Sequence, residues 1–288
     1  MLKTSELRSH HNRNAPHPLP VDPHGGGCSR CLWDTVERNW YQEGWAMSIG
    51  AIVLVVFFAF LASSIQRVTG FGFGIVFMTV APFVMPSYGE ATALSGMLAI
   101  VCSLGTGIRM FRFLPWRKLA GILLTFLAVS FFAVRMVAHI DSQTLKHVLG
   151  GILILVAAYF CLLNGKVKMK PTVPVQIGMG TVSGLMGGLF GMQGPPAVLY
   201  FISCTDRKEE YMALTQWYFI VGNIAMTFYR AGNGFLTTAV VRTWLMGVAA
   251  VLLGLLFGSK VYDRLSVSTL RKVVYIFIGV AGIVALLA

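Results

Sequence analysis

Charged residues cut most of this chain into long apolar stretches. No Asp, Glu, Lys or Arg occurs in 44–66, 68–89, 91–108, 119–134, 147–165, 171–205, 211–229, 243–259 or 273–288. Several of these runs reach the ~17–25 residues that a membrane-spanning helix needs, and the others approach it. The pattern predicts an all-α polytopic membrane protein. Its spans are expected at 47–65, 91–108, 119–138 and 147–163, and again at 212–229, 243–259 and 273–288.

One run does not fit a single crossing. The 35 uncharged residues of 171–205 would make a helix of ~52 Å at ~1.5 Å per residue, against a hydrocarbon core of ~30 Å. Gly187, Gly188, Gly191 and Gly194 lower helix propensity in its middle, and Pro195 and Pro196 each remove a backbone donor. The expected course is a helix over roughly 174–203 that breaks near Gly191 and resumes after Pro196. Irregular backbone at membrane depth is tolerated where protein buries it or where it lines a water-filled cavity.

A second stretch, 64–84, repeats the pattern. Offset by 119 residues, Ser64 falls on Ser183, Phe71 on Phe190 and Gly72 on Gly191. At 120, Glu90, Ala93 and Leu94 fall on Glu210, Ala213 and Leu214; at 125, Arg117, Leu145 and Lys146 fall on Arg242, Leu270 and Arg271. A slowly drifting offset is what a duplicated unit with small insertions gives. The expected organisation is a tail, 1–45, then a first repeat, 46–164, and a second, 171–288. If each broken segment counts as one crossing, there are eight spans and both termini are cytoplasmic. If each is a helical hairpin plus a span, the number per half is odd and the halves are inverted. Matched, glycine-interrupted apolar segments in two halves point to a transporter's binding site.

Composition agrees with the pattern. Of 288 residues, 56% are hydrophobic and 12% charged, against about 25% charged in soluble domains, and mean hydropathy is +0.72. The net charge of +12 comes from 23 basic and 11 acidic residues. Its basic residues sit in short loops between apolar runs, so the positive-inside rule accounts for them and nucleic acid is not an expected partner. Arg109, Arg112, Arg117 and Lys118 mark one cytoplasmic loop, and Lys166, Lys168 and Lys170 another. Five scattered cysteines make no disulfide framework; Cys102 and Cys161 lie inside spans as packing residues.

Residues 1–45 hold four of the six histidines and four prolines. They are expected to be disordered, with no secretory signal near Met1. Cys28 and Cys31 beside His24 are a weak metal signal without a second ligand pair, and no metal is expected. Translation from Met47 would omit this tail altogether.

No constellation suggests catalysis, and no cofactor is implied. The Gly70–Gly72–Gly74 spacing follows a membrane span rather than a strand, so it is not a dinucleotide fingerprint. The chemistry it does suit is anion binding. Helix breaks expose backbone N–H groups that favour negative charge, and glycine lets backbone approach a ligand. The candidate site is Gln66, Thr69, Gly70, Gly72 and Gly74 from one break with Gly188, Gly191, Gln193, Gly194 and Pro195 from the other. The competing explanation is that these glycines are helix-crossing contacts. Arg67 is equally suited to substrate and to a lipid headgroup. Asn223 fits an interhelical hydrogen bond better than a ligand contact.

The segments Q-R-V-T-G-F-G-F-G at 66–74 and G-L-F-G-M-Q-G-P-P-A-V-L-Y at 188–200 resemble the two glycine-rich signatures of the TauE/SafE family. The resemblance covers about 46–288. It implies a multi-pass transporter of the bacterial inner membrane that carries a small anion, sulfite or an organosulfonate, driven by H+ or another coupling ion. One departure is Gln193, where the pattern has glycine; it bears on the substrate rather than the fold. The alternative is a non-transporting membrane scaffold or maturation factor whose tail docks a partner or a metal. Deleting 1–45 separates the two, because a transporter keeps its activity and a scaffold loses its partner.

Overall fold

The computed structural model describes residues 49–163, 172–262 and Ile283. The expected tail, the Lys166–Lys168–Lys170 loop and the last span at 273–288 lie outside the described residues, apart from Ile283. Among them, all regular structure is helical. The order is α1 (Ile49–Thr69), α2 (Phe73–Phe77), α3 (Ala81–Val84), α4 (Tyr88–Met110), a 3-10 turn (Phe111–Phe113), α5 (Trp116–Val137), α6 (Ser142–Leu163), α7 (Val173–Phe190), α8 (Gly194–Ser203), α9 (Lys208–Gly232) and α10 (Thr238–Tyr262). Among the described residues, five stretches are long and apolar enough to cross a membrane: Gly50–Thr69, Tyr88–Phe113, Trp116–Val137, Val173–Phe190 and Thr238–Lys260.

The helix starts are chemically ordinary. Ser87 caps α4 by accepting from the Glu90 amide at 3.2 Å, the Ser-x-x-Glu arrangement of a capping box. Asp141 caps α6 by accepting from the Thr144 amide at 2.8 Å. The Thr144 hydroxyl and amide hold the Asp141 carboxyl below the usual carboxylate range. In α8 the helix begins at Gly194, three residues earlier than the sequence suggested. Pro195 and Pro196 lie in its first turn, where a missing N–H costs nothing because those donors have no intrahelical partner.

Contact registers fix the helix directions. Along α5 and α7, Gly121 meets Gln176, Thr125 meets Gly180, Val129 meets Gly184 and Ala133 meets Gly188, so the two run parallel. Gly180, Gly184 and Gly188 form a small-residue stripe that lets the backbones approach closely. On the other side, Gly254 packs on Phe60 and Ser63, and Gly258 on Ser64 and Arg67, so α10 runs parallel to α1. α9 is antiparallel to α4, with Ile220 against Gly107 and Arg230 against Gly96. It is parallel to α5, through Lys118–Glu210 at 2.7 Å and the Phe126–Tyr218 and Phe131–Tyr229 ring pairs.

The broken segments are hairpins rather than single interrupted crossings. α7 is a full helix and α8 doubles back beside it, with Tyr200 hydrogen-bonded to Gln176 and the Cys204 carbonyl accepting from Lys118 at 2.9 Å. α1 is likewise a full helix, and the short α2 and α3 return toward the start of α4. Counting each broken segment as one crossing is therefore incorrect for both, because each turns back at its glycines. Large apolar side chains such as Phe57, Leu124, Phe132, Phe228 and Leu256 face outward, the arrangement a lipid solvent requires.

Candidate functional site

The two bends meet. α1 ends at Thr69 and the chain turns through Gly70 (φ 83°) and Gly72 (φ 105°); α7 ends at Phe190 and turns through Gly191 (φ 68°). Gly72 and Gly191, matched by the sequence offset, are both left-handed, a conformation that a β-carbon disfavours. Where the bends touch, a β-carbon on Gly74 would overlap the Gly191 carbonyl oxygen. Glycine there is a close-approach requirement, since Gly74 itself has no positive φ.

Beside this contact lies a cavity of about 30 Å³, room for about two waters. It is lined by Gln66, Gly72, Phe73, Gly74 and Ile75 from the first bend, and by Gly191, Met192, Gln193 and Gly194 from the second. Ala99 of α4 and Phe219 and Asn223 of α9 complete it. Ala99 and Phe219 are near the midpoints of their helices, which puts the cavity at mid-depth of the bundle. No lining residue carries a formal charge.

Six of the ten candidate residues line this cavity: Gln66, Gly72, Gly74, Gly191, Gln193 and Gly194. The other four serve the bends. The Thr69 hydroxyl lies 2.9 and 2.6 Å from the Ile65 and Phe71 carbonyls, its single proton shared between these two acceptors, so it serves the end of α1 instead of lining the cavity. Gly70 offers its carbonyl to Gln216 Nε2 at 2.8 Å. Gly188 packs on Ala133 of α5, the helix-crossing role. Pro195 sits in the first turn of α8. Arg67 donates to Ser259 at 2.8 Å and Thr106 at 3.2 Å, and it is not among the lining residues.

The two glutamines differ. Gln66 Nε2 donates to Ser103 Oγ at 2.9 Å, and its Oε1 accepts from the Phe73 amide at 3.2 Å. It thereby ties the start of α2 to α1 and α4. Gln193 is 4% exposed, yet neither Nε2 nor Oε1 has a hydrogen-bond partner. Its side chain is wedged between Gly187 and Gly222. Its backbone is held firmly: Tyr218 donates to Ser183 Oγ at 2.7 Å, and Ser183 donates to the Gln193 carbonyl. A buried amide without partners costs about 1–3 kcal/mol, and such groups ordinarily face a water or a ligand. Two amides of the second bend are engaged, Gly191 to the Gly187 carbonyl and Met192 to the Met186 carbonyl. The Gly194 N–H, first in α8, has no intrahelical partner.

Sequence reasoning missed the apolar floor, Phe73, Ile75, Ala99, Met192 and Phe219, because nothing distinguishes these residues from ordinary packing. Asn223, expected between helices, faces Gly96 of α4 and also lines the cavity. Its one available signal was position, seven residues beyond Gln216 on the same face of α9.

Comparison with known proteins agrees with the geometry. The family described as sulfite exporter TauE/SafE matches residues 55–285. The protein named probable sulfite/organosulfonate exporter TauE, from Cupriavidus necator, is 29% identical over 233 residues, which is 75% of this chain and 87% of that protein. No solved structure matches the chain. With four-fifths of the chain matched and both glycine signatures lying at the paired bends, the chain belongs to the TauE/SafE sulfite exporter family.

Proposed function

We propose that this protein is a secondary transporter of a small anion, sulfite or an organosulfonate, in the bacterial inner membrane. The observation that carries this is the mid-depth cavity where two left-handed glycine bends meet beside an unpartnered Gln193. Backbone amides of the bends and the Gln193 Nε2 donor would hold the anion. A neutral donor set binds without the fixed charge that would hinder release. The relative named probable sulfite/organosulfonate exporter supports the substrate class, and the small cavity favours a compact oxyanion.

The mechanism is alternating access of two inverted halves. Three matched pairs support it: α1 and α7, α4 and α9, and α5 and α10 run in opposite directions within each pair, as inverted repeats require. Each half also leans on the other, with α1 on α10 and α7 on α5. A gradient of H+ or another ion would drive the exchange.

The test is flux of radiolabelled sulfite in proteoliposomes of the full chain, with and without an imposed pH gradient. Wild type should show gradient-dependent flux, and Gly72→Leu and Gly191→Leu should each cut it at least tenfold. Wild-type rates from normally inserted variants would refute the bends as the site, and no flux of any sulfur oxyanion by folded wild type would refute the substrate class.

A further inference from the structure

Arg230 lies in the last turn of α9, at the edge of what the sequence shows as a loop. In the fold it is 0% exposed. Its Nη2 donates to the Gly187 carbonyl at 3.0 Å, while Nη1 and Nε have no hydrogen-bond partner. No carboxylate pairs with it among the described residues. A buried cation without a counter-charge is costly, and inside a membrane protein it marks a functional position.

Its surroundings lead to the cavity. Nη1 and the Asn223 Oδ1 both approach the same point above Gly96, 2.9 and 3.4 Å from where a β-carbon would stand. Asn223 lines the cavity. The Gly187 carbonyl that Arg230 caps belongs to the turn that flanks the Gln193 side chain. Tyr88, 1% exposed with an unpartnered hydroxyl, lies within electrostatic reach on the other side. The guanidinium thus stands behind a wall of the cavity, about two helical turns from Asn223, where low dielectric leaves its field poorly screened.

We infer that Arg230 is the specificity-determining cation of the cavity, supplying through the Asn223 wall the positive potential that makes an uncharged lining select a small oxyanion. The role presupposes the transporter proposed above. It differs from a purely structural one, in which Arg230 only caps the carboxyl end of α7. The protein itself uses a glutamine for that task at the other bend, where Gln216 caps the Gly70 carbonyl. Arg230→Gln therefore keeps a cap and removes the charge.

The experiment is calorimetric titration of sulfite into the detergent-purified full chain, with melting temperature and size-exclusion profile recorded for each variant. Arg230→Gln should weaken sulfite at least tenfold, and Arg230→Lys should stay within about threefold of wild type. Tyr88→Glu, which sets a carboxylate against the guanidinium and leaves the cap and the lining intact, should weaken sulfite as Arg230→Gln does. Wild-type affinity in folded Arg230→Gln overturns the inference and leaves the transporter standing. If Arg230→Gln does not fold, Tyr88→Glu decides, its loss supporting and its wild-type affinity overturning. Wild type that binds no sulfite or sulfonate overturns both.

Discussion

The two glycine bends share a sequence pattern and differ in what their glutamines do. In the first, Gln66 is clamped at both ends, by Ser103 and by the Phe73 amide. In the second, Gln193 is equally buried and touches no partner. The neighbours decide the difference. Gln66 faces a serine and a free amide, whereas Gln193 is flanked by Gly187 and Gly222, which have no side chain to offer. The first bend is thus a fixed wall, and the second presents a group whose hydrogen bonds remain to be made. Both bends turn through left-handed glycines, and they differ in how their glutamines are satisfied.

The sharpest way to break the comparison is at the contact between the bends. Gly74→Val places a side chain where the Gly191 carbonyl lies, and overpacking of this kind costs about 1–3 kcal/mol. The cavity should be lost with it, so sulfite flux falls to background while membrane insertion persists. Flux near wild type would show that the bends do not need to touch. The next test sets the glutamines against each other. Gln193→Ala should weaken sulfite about tenfold and leave the melting temperature unchanged or higher, because no hydrogen bond is lost. Gln66→Ala should lower stability by about 1–3 kcal/mol, from two lost bonds and an orphaned Phe73 amide, read as a lower melting temperature. The reverse pattern would assign the adaptable group to the first bend. The smallest effect is expected far from both. Lys118→Ala removes the ion pair to Glu210 and the bond to the Cys204 carbonyl, both at a partly exposed lysine, and should cost about 1 kcal/mol with flux within twofold.

Much of this was legible in the sequence, for physical reasons that can be named. Uncharged runs gave the expected spans at 47–65, 91–108, 119–138 and 243–259 because lipid excludes charge, whereas 147–163 and 212–229 are not among the described helices long and apolar enough to cross. Gly72 and Gly191 stood out because they match at one offset and fall where an apolar run is too long for a single helix. The hairpin character of the breaks was not legible, since an apolar helix that returns after Gly191 has the same composition as one that continues. Pro195 and Pro196 looked like the break itself and instead open the returning helix. Gln66 and Gln193 look alike until Ser103, distant in sequence, is placed beside one of them. Arg230 follows the uncharged run 211–229, which made it resemble a boundary residue. It is buried only because α9 continues to Gly232 and packs on α4 to its end.

α9 touches both bends, and its hydrogen bonds fall into two groups. Tyr218 to Ser183 and Arg230 to the Gly187 carbonyl stay within the second half. Gln216 to the Gly70 carbonyl, Tyr211 to the Thr69 carbonyl and Trp217 to the Gly107 carbonyl reach into the first. If the halves rock as rigid bodies, the first group travels with α9 and the second must let go. With Lys118 to Glu210 and the Cys204 carbonyl, Arg67 to Ser259 and Ser64 to the Gly254 carbonyl, those three donors tie residues before 164 to residues after 171, and under the proposed alternating access this set of polar contacts would act as the latch between the two states.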